Sequence, residues 1–323
     1  MGIDTSNYTS SVALADTGCG IVADLRKQLP VKSGERGLRQ SEAFFRHADN
    51  IPALTRGLLG AYRARIGAVA VSERPRPLAR SYMPVFRAGL RFAELLADAV
   101  DAPLFCFSHQ EGHIRAALCG TGLDANGRFL AWHISGGASE LLLADAGAGG
   151  RTLSIVGGSL DLSFGQLIDR VGVTLGMDFP AGAALSALAT ADAGEGAFAN
   201  ASGREAQDLR LARIHAKGFF FNLSGMETQC LRAIEAGVRA EVLARAVFEN
   251  IADCLLRIGA DAARAYGVRD VLFTGGVSAS EALRTRMAAA RTGPVSIFGD
   301  AALCGDNAVG IALLGAEGLK QWP

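Results

Sequence analysis

Gly2 to Leu14 reads GIDTSNYTSSVAL, and Phe129 to Leu143 reads FLAWHISGGASELLL. Each is an apolar strand, a polar turn and a second apolar strand. In the first, a Thr/Ser/Asn cluster precedes Val12, Ala13 and Leu14; in the second, Ser135-Gly136-Gly137 makes the turn. Each unit leads into a run of alternating helical and strand-like segments. A hairpin that recurs at the head of two α/β stretches predicts an α/β protein of two similar lobes.

The segments outward from these hairpins fit that plan. Residues 41–59 place Phe44, Ala48, Ile51, Leu54 and Leu58 at helical spacing. AVAVS at 68–72 reads as a buried strand running into a stiff, charged turn, ERPRP. A helix over 85–100, a strand over 104–107 and a helix over 109–118 follow. In the second half, helices are expected at 162–175, 183–191, 224–236 and 239–266. A strand at 271–274 then ends in Gly275-Gly276. A helix over 279–290, a strand over 295–298 and a last helix from Asp306 to Gly315 close the chain. No linker stands out, so the lobes should share a tight interface. We place one lobe at 1–107 plus about 302–323 and the other at 108–301.

Composition narrows the function classes. Of 323 residues, half are apolar and a fifth charged, as in an ordinary soluble globular protein. The 40 glycines are spread along the chain, which suggests many tight turns. The formal net charge is zero, so a strongly basic nucleic-acid face is not advertised, although a local patch is compatible with it. No apolar run is long enough to span a bilayer, and no membrane partner is expected. The first residues lack the features of a signal peptide, so the cytoplasm is the expected location. Six scattered cysteines with no CxxC pair read as free thiols.

Five segments could carry chemistry. His109-Gln110-Glu111-Gly112-His113 places two imidazoles one turn apart on one helix face, where both can bind one metal. The alternative is two solvent-facing or capping histidines. The order is HxExH, not HExxH, so the glutamate does not stand where a zinc peptidase needs its base. His133 precedes the Ser135-Gly136-Gly137 turn, whose backbone N–H groups can close on phosphate oxygens. His133 is either a further metal ligand or a partly buried, backbone-bonded histidine, and the turn by itself could be a plain hairpin. Asp161 can cap the helix after it. Asp169, two turns in, can accept hydrogen bonds from a ribose or pair with a neighbour such as Arg170. Pro180-Ala181-Gly182 is a turn that can pass close to a ligand. Gly275 and Gly276, ahead of Ser280, let a flat base or sugar approach backbone, or merely allow close packing. Asp306 is a helix cap or the carboxylate of a His/His/Asp site, and Asp4 points at the same cleft if the lobes face each other.

Taken in order, these segments resemble the Kae1/TsaD (Gcp/YgjD) proteins, the tRNA threonylcarbamoyladenosine transferases of the ASKHA (actin/sugar-kinase/Hsp70-like) superfamily. The resemblance rests on GIDTS at 2–6, SHQEGHIRAAL at 108–118, SGG at 135–137, LDLSFGQLIDRVGVTLGMDFPAG at 160–182, FNLSGMET at 221–228, GGVSAS at 275–280 and LCGDNAVGIA at 303–312. It implies two lobes around a nucleotide cleft. It implies that His109, His113 and Asp306 hold one iron or zinc ion. His133 sits where some relatives place a metal-touching tyrosine. Ser135, Gly136 and Gly137 match the phosphate-side turn, and Asp169 and Gly182 the ribose and base side. Ser280 takes the place of an asparagine that contacts the nucleoside. Asp4 and Ser135 are the candidate catalytic residues. The implied donor is threonylcarbamoyl-AMP, made from ATP, and the acceptor the N6 amine of adenosine 37 in tRNAs that read A-starting codons. The implied partners are tRNA, a TsaB-like paralog and a TsaE-like ATPase.

The chain also departs from the family pattern. Asn7-Tyr8 replaces an Asp-Glu pair, Ala138 the histidine of SGGH, Arg74-Pro75-Arg76 a GPG turn, and Glu227 the lysine of SGLKT. These changes remove groups that could orient the donor, take a proton or face RNA. A divergent paralog is implied. Two further functions fit such a paralog: carbamoyl-adenylate transfer to a non-tRNA acceptor, and a non-catalytic nucleotide-binding partner of a related enzyme.

Overall fold

The computed structural model describes residues 1–31, 37–125, 127–147, 150–191, 209–290 and 293–322. The first unit holds β1 (Gly2–Thr5), β2 (Thr9–Ala15), β3 (Ile21–Gln28), α1 (Gln40–Tyr62), β4 (Val69–Arg74), α2 (Phe86–Val100) and β5 (Leu104–Ser108). Helix α3 (His109–Ala117) follows β5 directly. The second unit opens with β6 (Phe129–Ile134), β7 (Ser139–Gly147) and β8 (Gly150–Ser159). Next come α4 (Phe164–Thr174), α5 (Gly182–Thr190), the short β9 (Ala216–Lys217) and β10 (Phe220–Phe221), α6 (Ser224–Glu235) and α7 (Ala240–Tyr266). It ends with β11 (Asp270–Thr274), α8 (Glu281–Ala288) and β12 (Val295–Phe298), before α9 (Ala301–Cys304) and α10 (Val309–Gln321).

The first sheet has the order β3-β2-β1-β4-β5, and the second β12-β11-β6-β7-β8-β10-β9. β1, β2 and β3 pair antiparallel, while β4 and β5 add in parallel. β6, β7 and β8 pair antiparallel, while β11 and β12 add in parallel. Read from β8, the second sheet therefore repeats the first strand for strand. The duplication suggested by the two hairpin sequences is present in the topology.

Each sheet buries its own core. Ile3, Val12, Val69 and Val71 of the first sheet pack against Ile51 of α1 and Leu90 and Leu96 of α2. Trp132 and Phe273 of the second meet Phe164, Phe248 and Leu255 from α4 and α7. Burying each such side chain contributes about 1.5–3 kcal/mol.

The two units exchange helices at their junction. Ile114, Ala117 and Leu118 around α3 pack on Phe129, Ala131 and Leu272 of the second sheet. Val309, Ala312 and Leu313 of α10 pack with Ala13 of the first sheet and Ala116 of α3. Where α3 and α10 cross, a Cβ on Gly310 would lie 1.8 Å from the Gly112 carbonyl oxygen. Only glycine permits that approach. It brings the segment before α10 against the start of α3.

Two expected caps are corrected. The last helix begins at Val309, not at Asp306. Asn307 does the local work instead: its Oδ1 accepts from Val309 N, and its Nδ2 donates to the carbonyls of Leu303 and Gly305. Asp306 is left free to face the cleft. Asp161 does not cap α4; Ser163 does, in a capping box with Gln166. Asp161 accepts from Leu162, Leu223 and Ser224 amides and so ties the start of α6. Burial raises its pKa, but these bonds outweigh it and hold the carboxyl at about 2.

Candidate functional site

The site begins with the cap of α3. Ser108 Oγ accepts from Glu111 N at 3.2 Å, and Ser108 N donates to Glu111 Oε2 at 2.6 Å. Glu111, the middle acid of HxExH, is thus a capping residue. The cap fixes the first turn, from which His109 and His113 project on the same side. Their Nε2 atoms lie 3.0 Å apart. Asp306 Oδ1 stands 3.3 Å from His113 Nε2 and 3.5 Å from His109 Nε2. All three ligand atoms lie within 4.8 Å of one another.

The remaining polar atoms show why they converge. His109 Nδ1–H donates to Asp4 Oδ2 at 2.7 Å, so the Nε2 lone pair points inward. Ser6 Oγ donates to Asp306 Oδ2 at 2.5 Å, which leaves Oδ1 for the histidines. His113 Nδ1 is buried without a protein partner. Two imidazoles and one carboxylate, with His109 aimed by Asp4 and Asp306 by Ser6, form a donor set that fits a divalent cation. In the free cluster, burial lowers the His109 pKa, but Asp4 and Asp306 outweigh it and hold it at about 10. Burial pushes Asp306 up, yet hydrogen bonds from both histidines hold it well below the usual carboxylate range. Burial and the His109 charge push His113 down.

His133 lies beside this cluster rather than in it. Its ring stacks on His113 with centroids 4.6 Å apart and planes tilted by 35°. Gln110 Nε2 donates to His133 Nδ1 at 3.0 Å and also to Glu140 Oε2, while Arg76 Nε donates to Glu140 Oε1 at 2.6 Å. Asp4 is wholly buried, with one carboxylate oxygen on His109 and the other accepting from Ser6 N.

The glycine turn is built as a hairpin and locked to α4. Ser135 N donates to Ala138 O, and Ser135 Oγ accepts from the Gly137 and Ala138 amides. Ser163 Oγ donates to Gly136 O at 2.8 Å. A Cβ on Gly165 would lie 2.6 Å from Ser135 O and Gly136 Cα, so α4 begins directly against the turn. Asp169 accepts from the Ala181 and Gly182 amides, and burial pushes its carboxyl up against them. It does not pair with Arg170, whose partner is Glu227 at 3.0 Å. A cavity of about 280 Å³ opens here, lined by Tyr8, Gly136, Asp169, Arg170 and Phe179 among others. Tyr8 and Phe179 meet across it at 5.9 Å. Farther along, Gly275 has a φ of 91° and sits against Ile134 O, while Gly276 has open space above it. Ser280 caps α8 and shares a 2.8 Å hydrogen bond with Ser186. The structure thus gathers His109, His113, Asp306 and Asp4 in one cluster, Gly136 and Asp169 around one cavity, and leaves Ser280 in a cap.

Sequence reading passed over Ser6, His47, Gln110 and Glu140. His47 is wholly buried in α1, with Nδ1 2.7 Å from Ser10 Oγ and Nε2 2.8 Å from Ser6 O. A lone histidine inside a helical pattern gave no spacing to read.

A family model described as TsaD, tRNA N6-adenosine threonylcarbamoyltransferase, matches residues 32–313. The chain belongs to the TsaD family. Membership in TsaD makes it a transferase. A tRNA N6-adenosine threonylcarbamoyltransferase of Ralstonia pickettii (strain 12J) is 31% identical over 342 residues, covering 100% of this chain and 92% of its own. One from Persephonella marina (strain DSM 14350 / EX-H1) is 29% identical, covering 99% and 90%. Among solved structures, T. kodakarensis HypF matches 99% of this TsaD chain and 48% of its own, with a TM-score of 0.60 at 14% identity. The Acidaminococcus fermentans (R)-2-hydroxyglutaryl-CoA dehydratase component A matches 99% and 98%, with a TM-score of 0.56 at 14% identity. These likenesses concern fold alone, and they identify the ASKHA architecture of two similar lobes about a cleft. No helix among the described residues is long and apolar enough to cross a membrane.

Proposed function

We propose that this chain transfers a threonylcarbamoyl group from threonylcarbamoyl-AMP to the N6 amine of a tRNA adenosine, as the names of its relatives describe for them. The observation that carries this reading is the convergence of His109 Nε2, His113 Nε2 and Asp306 Oδ1 within 4.8 Å. That cluster stands close to the Ser135-Gly136-Gly137 turn, since His133, whose ring lies 4.6 Å from that of His113, is two residues before Ser135.

His109, His113 and Asp306 would hold one iron or zinc ion. Bound there, the ion supplies Lewis acidity toward the oxygens of the acyl-adenylate. Asp4 keeps His109 in the tautomer that presents Nε2. The Ser135-Gly136-Gly137 turn, pinned by Ser163, presents backbone to the phosphate and steadies charge on the departing AMP. Asp169 and Gly182 hold the ribose, and Gly275, Gly276 and Ser280 flank the base. The cavity between Tyr8 and Phe179, lined by Gly136 and Asp169, lies on this ribose and phosphate side of the donor. We further propose a lobe of 1–107 plus about 302–323 against one of 108–301, a cytoplasmic setting, and a TsaB-like paralog and TsaE-like ATPase as partners.

One observation favours a second reading, carbamoyl-adenylate transfer to a non-tRNA acceptor. Glu227 neutralises Arg170 beside the cavity. That ion pair removes free positive charge from a face that RNA would approach.

The deciding test supplies the purified protein with pre-made threonylcarbamoyl-AMP or carbamoyl-AMP, and with tRNA plus candidate partners or with small-molecule acceptors, beside a His109→Ala control. Modified tRNA that vanishes in the control supports transfer to tRNA. AMP release that needs a small-molecule acceptor and proceeds without modified tRNA replaces the first reading with the second.

A further inference from the structure

Ser6 touches both acids of the cluster. Its amide donates to Asp4 Oδ1 at 3.1 Å, and its hydroxyl donates to Asp306 Oδ2 at 2.5 Å. The hydroxyl's other neighbour, Thr9 O, is farther away at 3.4 Å. Three hundred residues separate Ser6 from Asp306, so this bond joins the first hairpin to the segment before α10.

Ser6 is itself held from α1. Its carbonyl oxygen faces His47 Nε2 at 2.8 Å, and a carbonyl only accepts, so Nε2 carries the proton. His47 Nδ1 then accepts, and Ser10 Oγ–H fills it at 2.7 Å. Asn50 Nδ2 donates to Ser10 Oγ at 3.1 Å. Every hydrogen in this chain has one direction. Ser6, Ser10, His47 and Asn50 are all buried. Such a network is costly unless every member is satisfied, and satisfied it fixes one geometry. The hairpin does not need it for register, because the β1–β2 ladder already pairs Ile3 with Val12. What the network adds is at its far end, where one oxygen of a candidate metal ligand is held and the other is turned toward two imidazoles.

We propose that Ser6, anchored from α1 by His47, is the positioning residue that aims Asp306 and Asp4, and thereby sets the cluster's affinity for a divalent cation. This rests on reading His109, His113 and Asp306 as metal ligands.

The experiment titrates metal-stripped full-length protein with Co²⁺, following its visible absorption and chelator competition, with the melting temperature of each metal-free variant alongside. Ser6→Ala loses the hydroxyl, and a ten- to hundredfold weaker Co²⁺ affinity is expected, roughly as for other outer partners of metal ligands. Ser6→Thr keeps the hydroxyl and should stay within about threefold of the parent, by the same comparison. His47→Leu should match Ser6→Ala. His47→Gln, whose amide can donate to Ser6 O, should restore most of the affinity. If His47→Leu does not fold, the Ser6 pair decides alone. Parental Co²⁺ affinity in Ser6→Ala overturns the proposal and leaves the metal reading standing. A parent chain that takes up no Co²⁺ overturns both.

Discussion

Nε2 of His113 lies 3.0 Å from Nε2 of His109, with Asp306 Oδ1 3.3 Å from the former. In the free cluster that spacing is a hydrogen bond from protonated His109 Nε2 to the His113 Nε2 lone pair, and a bound cation would take the proton's place. Replacing either histidine with alanine should therefore cost more than about a hundredfold in bound metal, larger than the loss of an outer partner. Chelation should lower the parent's melting temperature and leave the His113→Ala protein's almost unmoved, because a ligand stabilises only what binds it. Elemental analysis and thermal melts check both outcomes.

The Arg170–Glu227 pair tests whether RNA crosses the cavity face. Glu227→Lys restores the residue type of the family pattern and leaves Arg170 uncompensated. If tRNA contacts this face, the slope of log affinity against log salt should steepen by about 1–2. Arg170 is 37% exposed, so the stability cost should stay under about 1 kcal/mol. Filter binding across a salt series measures the slope, and an unchanged slope speaks for a non-tRNA acceptor.

Gly310→Ala should be far more damaging than its size suggests. The added methyl collides with the backbone of Gly112, which cannot swing aside as a flexible side chain would. A loss above roughly 4 kcal/mol is expected, with metal uptake falling alongside as Asp306 leaves the histidines. Denaturant melts and Co²⁺ binding on the same samples report both.

Acid should weaken the fold through His47. Burial depresses its pKa below 6.5 despite the Ser6 bond and the Asp4 charge. Below pH 6.5 the unfolded chain binds a proton that the folded chain refuses. The contribution is complete above that value and is lost as the pH falls toward the depressed one. His47→Gln has no such proton, so its melting temperature should drop less than the parent's between about pH 7.5 and about pH 5.5.

Much of this was legible in the residues. Two hairpins with polar turns announced two lobes, because alternation and turn chemistry are local signals. The four-residue spacing announced the histidine pair for the same reason. Asp306 was visible only as one of two options, since an acid before an apolar run looks like a cap; Asn307 beside it had taken that duty. Asp161 misled in the same way, because its true partners, Leu223 and Ser224, lie far along the chain. β3 and β8 escaped notice because β3 is a half-exposed edge strand and β8 carries few large apolar residues. The Ser6–His47 link joins a turn to a helix forty-one residues away, and no periodicity encodes such a distance.

The close crossing of α3 and α10 also bears on when the protein becomes competent. Asp306 is synthesised 193 residues after His113, so the two imidazoles leave the ribosome well before it. A chain stalled or cleaved before residue 306 keeps both imidazoles but lacks the carboxylate that completes the ring. Such a shortened chain should therefore take up a divalent cation more weakly than one that carries Asp306.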